Sequence, residues 1–101
     1  MSISSNISAV TKVVSAAAIS GRTRVNGLYY TCGSTASSFT LRNGATGGAD
    51  ATVTIYTPAA AGAYDIIIPD MGILFTEGAY IDLADANVLS VTLLFEGGAA
   101  V

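Results

Sequence analysis

The sequence predicts an all-β chain: an antiparallel β-sandwich of seven to eight short strands, in a jelly-roll or another Greek-key arrangement. Three observations predict it. Apolar and polar residues alternate with period two in several windows, as in half-buried strands. Clusters of Gly, Pro, Asn and Asp interrupt those windows at short intervals, as they do in sandwiches. No window carries an apolar stripe at helical spacing.

Ser8 to Ser15 reads as a strand with Val10, Lys12 and Val14 on one face. Ala16 to Ile19 is the only helix candidate, and it is too short and uncapped. In Arg22 to Cys32, Thr23 and Val25 face one way and both arginines the other. Gly27 then reads as a bulge, after which Leu28, Tyr30 and Cys32 oppose Tyr29 and Thr31 without a clear apolar side. Ser38 to Arg42 turns Phe39 and Leu41 inward. Asn43-Gly44 and Gly47-Gly48 open a long loop to the strand Thr52 to Thr57, where Val53 and Ile55 alternate with threonines and Tyr56. Thr57-Pro58 stops that strand. Tyr64, Ile66 and Ile68 form one face of the next, with Asp65 and Ile67 on the other. Pro69-Asp70-Met71-Gly72 is a tight turn. Ala79 to Leu83 sets Ile81 and Leu83 against Tyr80 and Asp82. Asn87 to Glu96 places Leu89, Val91, Leu93 and Phe95 on one side. The expected organisation is an N-terminal arm or first strand over residues 1–20, a sandwich over 21–96 and a loose tail over 97–101.

Composition narrows the function. The 101 residues hold four Lys+Arg, seven Asp+Glu, no histidine, no tryptophan and one cysteine. Histidine-based catalysis, histidine-ligated metal and a disulfide framework are excluded within one chain. Four cations neutralise few phosphates, so nucleic acid is not an expected partner. Charged residues are 11% of the chain, less than half the roughly 25% of an ordinary soluble domain. With so many Ala, Ser, Thr and Gly, such a chain either enters a membrane or hides its surface against partners. The longest uncharged run, between Arg24 and Arg42, is broken by Asn26, Gly27 and Gly33, so no spanning helix is expected. Residues 1–11 hold no cation before Lys12, which fits a secretory signal badly. An obligate oligomer or a part of a larger assembly is therefore expected.

No motif spells out a reaction. Asp65, Asp70, Glu77, Asp82 and Asp85 offer many carboxylate pairs, but no specific pair and no tryptophan platform for sugar. Asp82 to Asn87 has the oxygen ligands calcium favours, without the spacing of an EF-hand loop; an Asx-capped turn explains it better. Gly44 to Gly48 lacks the Lys-Ser/Thr and following helix of a phosphate cradle. Cys32 has no histidine to activate it, and Lys12 no evident partner to depress its pKa. No cofactor and no metal are expected, and the chain is not expected to be an enzyme. All four cations precede residue 43 and all seven acids follow residue 49. Either early and late strands pair across the fold, or a basic patch meets an acidic patch on a neighbouring subunit.

Five short motifs, in order, resemble the small β-sandwich virion proteins of tailed bacteriophages, cyanophages among them. They are Arg22-Thr-Arg-Val-Asn-Gly-Leu-Tyr-Tyr, Phe39-Thr-Leu-Arg-Asn-Gly, Thr57-Pro-Ala-Ala-Ala-Gly, Gly72-Ile-Leu-Phe-Thr-Glu-Gly-Ala-Tyr-Ile and Val91-Thr-Leu-Leu-Phe. The resemblance covers about residues 20–96. It implies a structural part of the particle, assembled in the host cytoplasm, and carries over no catalytic residue. The leading expectation is a capsid decoration or cement protein, trimeric, bound to the major capsid protein or neighbouring virion proteins. The alternative is a tail, neck or fibre-base protein that contacts host-surface glycans. Interface candidates are Lys12, Arg22, Arg24, Tyr30, Ile67 and Met71.

Overall fold

Alternation and turn chemistry build two antiparallel sheets. The computed structural model describes residues 7–83 and 86–101. In chain order the strands are β1 (Ser8–Lys12), β2 (Ala16–Ser20), β3 (Thr23–Cys32), β4 (Ser37–Asn43), β5 (Asp50–Thr57), β6 (Gly62–Ile67), β7 (Ile73–Phe75), β8 (Gly78–Asp82), β9 (Val88–Glu96) and β10 (Ala99–Ala100). The first sheet runs β1-β9-β3-β6, with β7 pairing the start of β3 on the edge that β6 occupies further along. The second runs β10-β2-β8-β4-β5.

The pairing is nested. β4 pairs β5, β3 pairs β6 and β7, β2 pairs β8, and β1 pairs β9. The chain is thus a long antiparallel ribbon, turned back on itself in the loop after β4 and wound so that successive rungs fall in alternate sheets. That strand order is a jelly roll.

The core lies between the sheets. Phe39, Leu41 and Ile81 face Leu28, Leu93 and Phe95, with Ile19 and Phe75 also fully buried. Each such side chain contributes roughly 1.5–3 kcal/mol through burial.

Ala16 to Ile19, too short and uncapped for a helix, lies in the strand β2. The structure departs from the sequence reading in three places. Residues 97–101 are not a loose tail: Ala99 and Ala100 pair with Ser20 and Ile19, and the Val101 amide donates to the Ala18 carbonyl. There are ten strands among the described residues rather than seven or eight, because β2, β7 and β10 are short or alanine-rich. The first strand ends at Lys12, leaving Val13 and Val14 exposed at the bend before β2. Residues 1–6 of the expected arm, and Asp85 of the expected capped turn, lie outside the described residues.

Candidate functional site

The outer face of the first sheet carries the site. In β3, Thr23, Val25, Leu28, Tyr30 and Cys32 are buried, so Arg24, Tyr29 and Thr31 point outward. A bulge lies between Val25 and Gly27 in the pairing with β9, where Gly27 was expected to mark one. It shifts the alternation by one residue, which is why Arg24 and Tyr29 share a face although their numbers differ in parity.

Register sets three rows of residues across this face. Arg24 pairs with Glu96 on one side and Leu74 on the other. Gly27 pairs with Leu94 and Ile67, and Leu94 in turn with Ala9. Tyr29 pairs with Thr92 and Asp65, and Thr92 with Thr11, whose hydroxyl lies 2.7 Å from that of Thr92. The middle row has no side chain at Gly27. A Cβ there would sit 3.3 Å from the Ile66 carbonyl oxygen and 3.6 Å from the Leu94 Cδ1, so the glycine keeps the floor low. The result is a groove of about 590 Å³ walled by Tyr29, Ile67, Leu94 and Met71, with Arg24, Asp65 and Glu96 around it.

Met71 reaches the groove from a turn with unusual backbone. Asp70, Met71 and Gly72 have φ of 56°, 70° and 80°. A side chain at Gly72 would place its Cβ 2.2 Å from the Val25 carbonyl oxygen, so glycine is required where the turn lies against β3. The turn is tied down by the Gly72 amide donating to Pro69 O at 3.2 Å and the Ile68 amide donating to Asn26 O at 2.9 Å.

Exposure marks this face as unfinished. Ile67 is 82% exposed, Met71 73% and Tyr29 46%. Scattered surface apolar residues are ordinary, whereas several converging on one concavity mark an interaction site. A smaller concavity at the opposite bends gathers Val13, Val14 and Leu89.

The charges are explained in part within the chain. Arg42 Nη2 lies 3.0 Å from Asp82 Oδ2, joining β4 to β8, and Arg42 also donates to Ala49 O. Early cation and late acid meet there across strands, as one of the two sequence readings anticipated. Asn26 Nδ2 donates to Glu96 Oε1 at 3.5 Å. Among the described residues no ion pair engages Arg24 or Asp65. No three metal-ligating side chains come together among them either.

The expected interface residues divide. Arg24, Ile67 and Met71 line the groove together. Arg22 is exposed in the bend between β2 and β3, away from it. Lys12 sits on the edge strand and donates from Nζ to the Val101 carbonyl. Tyr30 is a correction: it is 5% exposed, packed edge-on to Phe39 at 5.3 Å and stacked on Tyr64 at 5.6 Å. The bulge turns Tyr30 inward and its neighbour Tyr29 out to the groove. Burial raises the Tyr30 phenol above its usual range, with Cys32 and Tyr64 adding to the effect. Sequence reasoning missed Tyr29 and Asp65 as groove residues; their register opposite each other was the missing information.

Comparison with protein-family profiles, with curated proteins and with solved structures finds no match.

Proposed function

We propose that this chain is a structural subunit of a tailed-phage particle, a decoration or cement protein that sits over junctions between capsid subunits. One observation carries the reading: Tyr29, Ile67 and Met71 converge, exposed, on one concave sheet face. A free monomer gains nothing from that face, whereas a subunit covered by neighbours buries it. The five motifs that resemble small virion sandwiches support the same reading, as does a surface dominated by small uncharged side chains. The mechanism is additive. Each copy contributes modest surface burial at its junction, and many copies together hold the shell against internal pressure.

The test is location and mechanical effect. Labelled antibody against the chain should decorate heads on purified particles. Adding the chain to particles that lack it should raise the temperature at which DNA escapes. Labelling confined to tails or fibres, with binding to host glycans, would replace this reading with the tail-protein alternative. Absence from particles would end both.

A further inference from the structure

We infer that the groove on the first sheet is a two-fold interface occupied by a second copy of this chain. The inference rests on the groove being an assembly face, and it adds the identity and symmetry of the occupant.

The patch is self-complementary. An isologous interface needs one patch whose features exchange under a two-fold rotation. On β9, Glu96 and Thr92 lie two residues to either side of Leu94, so the Arg24–Glu96 row and the Tyr29–Thr92 row flank the Gly27–Leu94 row at equal spacing, about 7 Å each. A two-fold axis laid along the Gly27 row within the interface plane exchanges those flanking rows. It seats Arg24 of one copy over Tyr29 of the other, with Asp65 one strand away at about 5 Å. The guanidinium then has both a ring face and a carboxylate within reach, and the contact occurs twice. Neither Arg24 nor Asp65 is engaged in an ion pair among the described residues. On the axis itself Ile67 meets Ile67 and Leu94 meets Leu94, while the bare backbone at Gly27 makes room for them. The strands of the two copies run nearly aligned, the usual geometry for stacked sheets. The expected three-fold assembly does not use this symmetry; the patch is built for a pair.

The experiment is a charge exchange followed by sedimentation velocity on the full chain over a range of concentrations. The unmodified chain should be dimeric. Arg24→Asp and Asp65→Arg should each weaken association by roughly tenfold, because each sets like charges against each other twice. The double variant R24D/D65R should restore it, which a merely damaged fold would not do. Ile67→Asp, at a residue already in water in the monomer, should abolish the dimer while leaving the circular dichroism melt unchanged. A monomer at all concentrations would overturn the inference, as would a trimer. So would a dimer indifferent to all four variants. A chain that decorates particles yet stays monomeric loses only this inference. A dimer that never binds particles loses only the particle role.

Discussion

Tyr29 and Tyr30 are adjacent and chemically identical, yet one belongs to the core and the other to the groove. Nothing in their side chains decides this; the bulge beside Gly27 does, by setting the parity of everything that follows in β3. The buried member has a measurable consequence. Burial raises the Tyr30 phenol in the folded chain. Above the ordinary tyrosine value of about 10, the unfolded chain releases this proton while the folded chain keeps it. The native state then binds more protons, so stability falls as pH rises from that value through the folded one, by up to about 1.4 kcal/mol per pH unit. The contribution is fully present at lower pH. Tyr30→Phe should remove this component. Urea melts between pH 9 and 11 should show a shallower alkaline loss for the variant, and parallel curves would sink the claim.

Bulges also explain where alternation in the sequence misleads at the level of whole elements. In β9 the odd-numbered apolar set includes Leu89, yet Leu89 is exposed and Val88 is buried. The pairing passes from Thr31–Ser90 to Cys32–Val88, so Leu89 is the extra residue and its side chain turns outward. Val88→Ala should therefore cost about 2 kcal/mol in chemical denaturation, and Leu89→Ala less than about 0.5 kcal/mol. Equal costs would show that the register is wrong. Leu89 carries no local signal for this, whereas Gly27 did. The windows Ser38 to Arg42 and Thr52 to Thr57 were legible because their alternation is made by large side chains against hydroxyls. In β2 three successive alanines present a methyl to either side, so no period could be read. The groove was legible only as separate names. Arg24, Ile67 and Met71 come from three segments, and what joins them is the pairing of β3 with β6 and the turn after it, which no local pattern encodes.

The nested ribbon makes β1 and β10, the first and last described strands, part of the fold, which changes what a truncation means. Residues 1–20 could be read as an arm reaching to a neighbour, and removal of residues 2–15 would then weaken attachment alone. In the structure that deletion takes away β1, the outermost rung. Ser8 through Lys12 pair with Phe95 through Val91, and Val10 packs against the core. Without β1, the β9 strand becomes an edge, and its unpaired amides and carbonyls face water beside Leu93 and Phe95. The Lys12 contact to the Val101 carbonyl, which ties β1 to the residue after β10, is lost as well. The deletion should therefore cost about 3 kcal/mol or more, a large share of the ~5–15 kcal/mol typical of a domain. Thermal unfolding by circular dichroism checks this. A chain beginning at Ile7 keeps every β1–β9 pair and serves as the comparison. If the chain lacking residues 2–15 melts with the full-length protein, β1 is not integral to the sandwich. If it melts far below, any loss of attachment by that deletion reports on folding, and only the Ile7 chain can test an arm.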